Sequence, residues 1–413
     1  MNRILLAAGI AALAVPAAAA DPATIDWTKL PATTVTLFYP GQSSYEWLRS
    51  DHRKGKGAKA TADGQACVRC HEGDEKAMGA AIVKGGPLEP TPVKGKQGHI
   101  DLKVQAAYDD RNAYLRFQWR TNANRAGTAY PVYRFDGKEW KSYGGPKLDE
   151  EVREGREPGV YEDRLSIMLD DGKVPGFARQ GCWLTCHNGS RDMPGSASKA
   201  DAQAAIKKDD VRKYLPASRT DPADWRTVKP AAELAAIKAA GGFTDLMQWR
   251  AHRSNPVGAA DDGYVLEFRN FDSGRNHFAS NFDGKAKQPR FMFEPGKNSE
   301  FLVSGVNAVP FAADAGWKQG DALPSNFLQP AAASGSAADN KATGTWQAGE
   351  WTVLIIRPLG LANDDDKALR EGGTYSVGFA VHDDNITTRG HHVSFVRTLG
   401  IGTAGDIRAV KLP

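Results

Sequence analysis

The chain has 413 residues, 41% of them hydrophobic and 25% charged, with a formal net charge of +4. That length holds two or three ordinary domains, or one large β domain with a smaller attachment, and the mix is that of a globular protein in water. The near balance of charge, with no dense Lys/Arg run, excludes a nucleic-acid binder built on a basic stripe.

The chain opens with Asn2-Arg3, an apolar run over 4–15, and Ala18-Ala19-Ala20 before Asp21. This is a secretory signal pattern, cut after Ala20, so 1–20 lie outside the fold. The run is too short to span a bilayer, and no membrane span is expected after cleavage. An uncleaved N-terminal anchor is the alternative. Export places the chain in the periplasm or beyond it, where free thiols oxidise.

Residues 21–65 read as loop. Pro31, Pro40, Gly41 and Lys54-Gly55-Lys56-Gly57 break regular structure, leaving one helical turn at Tyr45-Glu46-Trp47-Leu48. Cys67-Val68-Arg69-Cys70-His71 follows. Two cysteines separated by two residues, with a histidine directly after, form the attachment pattern of c-type haem. Each thiol adds to one vinyl group on one edge of the porphyrin, and the histidine lies under the ring as an iron ligand. A short helix over 72–83 and a Gly/Pro/Lys linker over 85–98 complete a segment, 21–98, too short to bury a haem alone. It is expected to pack on a second domain, 99–413.

From Ile100 the period changes to two. Ile100, Leu102, Val104 and Ala106 alternate with polar residues. After Asp109-Asp110-Arg111-Asn112, so do Ala113, Leu115, Phe117 and Trp119. This predicts a β-hairpin with one buried face. Further strands are predicted over 164–169, 263–269, 290–293, 351–357, 375–382 and 392–396. Ala/Lys-rich helices are predicted over 200–214 and 231–240, the second stopped by Gly241-Gly242. An Ala/Ser/Gly-rich stretch over 331–345 reads as a surface loop. The fold class is therefore mainly β: an antiparallel β-sandwich with an α/loop N-terminal segment and inserts at about 195–250 and 325–346.

A second, irregular motif lies at Cys182-Trp183-Leu184-Thr185-Cys186-His187, with three residues between the cysteines. The two motifs use all four cysteines of the chain. A zinc site would need further Cys or His at matched spacing. At Cys182 and Cys186 a structural disulfide is the alternative. The expected cofactors are two covalently bound haems, on Cys67 and Cys70 with His71 as proximal ligand, and on Cys182 and Cys186 with His187.

Each iron then takes a second axial ligand or stays open, His and Met being the common choices for electron transfer. Met78, seven residues past His71, points to the same side of a helix as His71, whereas a distal ligand approaches from the other face. His52 is the first choice for the first haem and His99 the second. For the second haem, His391 and His392 precede a strand. Adjacent strand residues face opposite ways, so one of the two can reach the iron; His392 is preferred over His391, with Met193 as an alternative.

Two stretches carry a family resemblance. Ala107-Tyr108-Asp109-Asp110 through Tyr114-Leu115-Arg116-Phe117-Gln118-Trp119 resembles the opening hairpin of the haem-binding domain in the γ subunit of ethylbenzene dehydrogenase and of related molybdenum enzymes such as dimethyl sulfide dehydrogenase. Tyr375-Ser376-Val377-Gly378-Phe379-Ala380-Val381-His382-Asp383 through Gly390-His391-His392-Val393-Ser394-Phe395 is similar to that family's last strands. The resemblance covers about 100–413. It implies a β-sandwich that carries one haem b between methionine and lysine and passes electrons from an iron–sulfur chain to an acceptor. This chain departs from the pattern. His391-His392 stands where the lysine would be, and the Cys182 to His187 motif where the methionine region would be. The departure points to the cytochrome c-552-like branch of the superfamily.

The expected role is an exported dihaem c-type cytochrome shuttling electrons in a periplasmic respiratory chain. Redox proteins are the expected partners, among them a molybdenum/iron–sulfur oxidoreductase. No Ser/His/Asp set, phosphate-cradling loop or spaced carboxylate pair calls for catalysis. A haem-carrying subunit of a molybdenum complex is the second reading, and a haem enzyme of peroxidase or nitrogen-oxide reductase type the third.

Overall fold

The computed structural model describes residues 20–121, 130–145, 148, 150–361, 363–383, 386 and 390–413; the signal pattern before Ala20 lies outside them. Thirteen strands form one large sheet: β1 (Ala32–Phe38), β2 (His99–Tyr108), β3 (Asn112–Arg120), β4 (Arg164–Asp170), β5 (Thr244–Arg250), β6 (Gly263–Val265), β7 (Arg269–Phe271), β8 (Lys341–Gln347), β9 (Glu350–Pro358), β10 (Thr374–His382), β11 (His392–Val393), β12 (Arg397–Ile401) and β13 (Ile407–Lys411). Their order is β8-β9-β3-β2-β1-β11-β10-β4-β5-β6-β7, with β12 beside β10 and β13, and β13 parallel to β2. The protein is mainly β, as its alternating patterns predict.

The β2–β3 hairpin closes where the sequence marks it, with Tyr108 opposite Ala113. Asp109 forms the turn: its Oδ1 accepts from the amides of Arg111 and Asn112, both at 2.7 Å, as an Asx turn does. The predicted inward residues are buried, from Ile100 to Ala106 and from Ala113 to Trp119.

The sheet curls, so strands distant along it face each other. Phe117 on β3 meets Phe379 on β10 with ring centroids 5.8 Å apart. Trp249 on β5 meets Trp119 on β3 at 5.9 Å and Trp351 on β9 at 4.8 Å. The two ends of the sheet touch at a seam, where Ala259 bridges Lys341. There the Asn255 side chain accepts from the Gly344 amide at 2.7 Å and donates to its carbonyl at 3.1 Å. Gly344 has no room for more, since a Cβ would stand 2.4 Å from the Trp249 ring. Gly344→Ala is expected to cost about 1–3 kcal/mol by overpacking, read as a lower urea midpoint with unchanged m.

Several sequence expectations are corrected. The 21–65 stretch contains β1, paired over its whole length with β2; Pro31 and Pro40 bracket this strand rather than break it. Helix α2 (Lys56–Ala62) forms in spite of its glycines, because Gly55 takes φ +88° just before it. It follows α1 (Tyr45–Ser50) and precedes α3 (Val68–His71) and α4 (Glu75–Ile82). The 331–345 stretch is two 3-10 turns and the start of β8, not a surface loop. The 263–269 stretch is the start of a tight hairpin, β6 to β7. The 200–214 helix stops at Ile206, where Lys207 turns left-handed at φ +57°. No helix among the described residues is long and apolar enough to cross a membrane.

Candidate cofactor sites

The short helices α1 to α4 hold the first motif against the sheet. Cys67 starts α3 and His71 ends it. The Cys67 amide donates to the Arg179 carbonyl at 3.2 Å, so the motif is docked on the segment that carries the second one. Cys67 and Cys70 are both free thiols. His52, on the 3-10 turn His52–Gly55, brings its ring to 5.8 Å from that of His71. Two imidazoles need about this spacing to share one metal at about 2 Å from each nitrogen. His52 Nδ1 is buried with no hydrogen-bond partner among the described residues. Burial, with the His71 charge beside it, lowers the His52 pKa, so the ring is neutral and can offer a lone pair.

The second motif opens on a cavity of about 470 Å³, within the roughly 300–1,000 Å³ of small-molecule and cofactor sites. Cys182 and Cys186 both line it, joined by Trp183, Met168 and Met193. The two thiols are free, so the disulfide alternative is not formed. Burial pushes the Cys182 thiol up to about 11, and the Cys67 thiol likewise to about 11. Neither is a ready thiolate nucleophile.

The cavity wall is cationic. Six arginines and Lys213 line it; behind the wall Arg250 pairs with Asp261, Arg253 with Glu162, and Arg191 and Arg212 with Asp210. Burial raises the pKa of the Tyr161 phenol in this wall. The guanidiniums of Arg164 and Arg253 outweigh that and bring it down to about 7. Lys213 Nζ lies 3.4 Å from Cys186 Sγ. Arg164 and Arg269 meet the side chains of His382 and Gln248 instead, and these two guanidiniums suit an anionic guest.

The histidines divide in a way the sequence did not foresee. His391 lines the cavity. His392 turns away, fully buried, its Nε2 2.9 Å from the Gln97 carbonyl and its Nδ1 3.5 Å from Asp383. Strand alternation sends one of the pair to the cavity, and it is His391, so the preference for His392 is reversed. His382 also lines the cavity, stacked on His391 with centroids 5.2 Å apart. It was not among the sequence candidates. The available signal was period two on β10: Gly378, Ala380 and His382 face the cavity in turn. Gly378 must stay small, because a Cβ there would stand 2.9 Å from Cys182 Sγ.

His187 is fully buried but outside the cavity lining. Its Nδ1 lies 2.7 Å from Glu46 Oε1, and its Nε2 3.1 Å from the Tyr214 carbonyl, with the Tyr214 ring stacked on it at 3.7 Å. Burial lowers its pKa and the Glu46 carboxylate raises it, burial being the larger effect. Glu46 belongs to α1, whose N-cap is Ser44. A carboxylate on Nδ1 is how proteins orient a metal-binding imidazole, leaving Nε2 as the ligand atom. Nε2 reaches a metal only by giving up the Tyr214 carbonyl.

The two motifs meet through aromatic rings. His71 stacks on Phe395 at 6.3 Å, and Phe395 packs on Trp183, inside the second motif, at 5.5 Å. Phe38 packs on both, at 5.2 and 5.5 Å. Trp183 Nε1 donates to Ser43 Oγ at 2.9 Å, which fixes the ring between the sites. His99 starts β2 beside Phe38 rather than at either motif.

The family model described as ethylbenzene dehydrogenase matches residues 24–394. The chain belongs to the ethylbenzene dehydrogenase family. The match begins well N-terminal of the resemblance at about 100–413 and takes in β1 and the first motif. The chain is 30% identical over 416 residues to a protein named cytochrome c-552 of Stutzerimonas stutzeri, covering 100% of both chains. It is 28% identical over 262 residues to one named cytochrome c-551 of Rhodocyclus tenuis, covering 62% of this chain and 91% of that one.

Proposed function

We propose that this protein is an exported dihaem c-type cytochrome that carries electrons between redox proteins. The reading rests on the aromatic contact His71–Phe395–Trp183 joining two cysteine-pair sites. A packed aromatic path of this kind shortens the tunnelling route between two centres, and a lone structural thiol pair would have no use for it.

The residues fit the group. Cys67 and Cys70 would hold one haem by thioether bonds, with His71 and His52 on its two faces. Cys182 and Cys186 would hold the other, with His391 and His382 at the cavity wall to meet its iron; His187 would join them only by giving up the Tyr214 carbonyl. When bound, haem supplies the one-electron couple; the chain supplies position and environment. The buried arginines would meet the haem carboxylates. Glu46 would hold the His187 Nδ1 proton and fix its ring.

The donor fits a molybdenum/iron–sulfur oxidoreductase, as the family's name and the γ-subunit resemblance suggest. A subunit role in such a complex is the second reading, favoured by the same family membership.

The test is internal electron exchange in the Phe395→Ala variant, followed by flash reduction. The rate between the two centres is expected to fall several-fold while both midpoint potentials hold. An unchanged rate would remove the bridge from the account.

A further inference from the structure

Six buried or half-buried carboxylates gather at the seam: Asp245 on β5, Asp262 before β6, Asp272 after β7, Asp339 before β8, and Asp365 and Asp366 between β9 and β10. One guanidinium, that of Arg357 on β9, faces them. It bonds Asp245, Asp262 and Asp366. The neighbouring lysines are engaged elsewhere: Lys367 Nζ on Asp171 and the Gly241 carbonyl, Lys238 on Asp364. The cluster sets six carboxyl groups against one guanidinium in a dry place.

The imbalance is greatest at Asp272. It is 6% exposed, yet neither of its carboxylate oxygens has a hydrogen-bond partner among the described residues. It points at Asp365 and Asp366, all three offering oxygens within 4.8 Å of one another. That is about twice a calcium–oxygen distance of ~2.4 Å, the greatest separation two ligands of one calcium ion can have. A neutral group repeats the pattern. Asn340 is fully buried and donates its amide to Asp262, while its Oδ1 has no partner among the described residues. Asp365 and Asp366 are held in place from behind. Ser336 Oγ donates to both, at 2.7 and 3.2 Å, the Ser273 amide to Asp365 at 2.8 Å, and Asn363 to Asp366 at 2.8 Å.

We propose that Asp272, Asp365 and Asp366 hold a calcium ion that fastens the two ends of the large sheet at their seam. The donors are all oxygens, which excludes the N/S preference of zinc. They come from two loops, Asp272 from one and Asp365 and Asp366 from the other, and three carboxylates on one ion suit the flexible, multi-carboxylate coordination of calcium better than the strict, hydrated octahedron of magnesium. Burial and the charges of Asp245, Asp365 and Asp366 push the Asp272 carboxyl far up, to about 9. A bound dication removes that penalty. The arrangement joins the loop after β7 to the β9–β10 loop, which no strand pairing connects. It is remote in function from the haem sites and stands independently of them.

The experiment uses the full mature chain. EGTA-treated protein is titrated calorimetrically with CaCl₂, and its melting is followed in EGTA, CaCl₂ and MgCl₂. One calcium per chain is expected, with Tm lower by roughly 3–6 °C in EGTA than in saturating CaCl₂. Equimolar MgCl₂ does not restore it. Asp272→Asn is expected to lose the binding heat, to melt below wild type in CaCl₂, and to ignore EGTA, with an unchanged haem spectrum. Absence of binding heat together with a Tm indifferent to calcium overturns the proposal. So does full recovery in MgCl₂. So does an Asp272→Asn variant that melts above wild type in CaCl₂, which is the result expected if Asp272 is merely a repelled charge.

Discussion

Arg357→Leu is expected to cost the fold about 3–5 kcal/mol, the usual penalty for removing one partner of a fully buried ion pair. The guanidinium is wholly inaccessible, and it reaches Asp245 at 2.5 Å, Asp366 at 2.8 Å and Asp262 at 3.2 Å. Leucine fills part of the volume but leaves three carboxylates facing one another. The effect exceeds that of an ordinary core truncation because the cost is desolvated charge, not lost contact. Urea unfolding reads it as a fall in midpoint. Arg357→Lys is expected to recover only part, since one ammonium cannot present the guanidinium's planar fork to three acceptors. A loss under about 1 kcal/mol in Arg357→Leu would show that the cluster is balanced by something else.

His391→Ala is expected to change the second haem from six-coordinate and low-spin to an open form that binds carbon monoxide. His392→Ala is expected to leave the spectrum as it is. The contrast follows from geometry: His391 lines the cavity beside the two thiols, whereas His392 is turned to the Gln97 carbonyl and Asp383. His52→Ala is expected to open the first haem alone, because its ring faces that of His71. Absorption and resonance Raman spectra of the reduced proteins report each change. If His391→Ala is silent and His382→Ala opens the site, the axial ligand is the histidine on β10.

Local pattern was legible where one physical cause dominated. The β2–β3 hairpin showed itself because one face is core and the other polar, and the Asp109 turn has its own chemistry. On β4 and β5 all seven residues are buried and the alternation vanishes; β4 still showed through its apolar run Ile167-Met168-Leu169, whereas β5 mixes Thr244, Asp245, Gln248 and Arg250 with its apolar residues. β1 was hidden by the prolines at its two ends, although Val35 and Leu37 are fully buried and its partner β2 was found. The first motif was legible in its own five residues, Cys67 to His71. The cavity was not, since Arg164, Lys213, Arg250 and Arg269 come from distant strands and loops and only the curled sheet gathers them. The choice between His391 and His392 needed the phase of the strand, which two-residue alternation alone does not set. The seam cluster was equally invisible, its carboxylates running from Asp245 to Asp366 along the chain.

The count of covalent haems tests the central claim most directly. Intact mass spectrometry of the mature chain, with an alkaline pyridine spectrum of the same sample, is predicted to give two haems per chain. Cys182→Ala combined with Cys186→Ala is predicted to leave one, with Cys67 and Cys70 still loaded. A wild-type mass carrying one haem, or none, would contradict the account, because the cationic cavity at Cys182 and Cys186 would then serve some other anion.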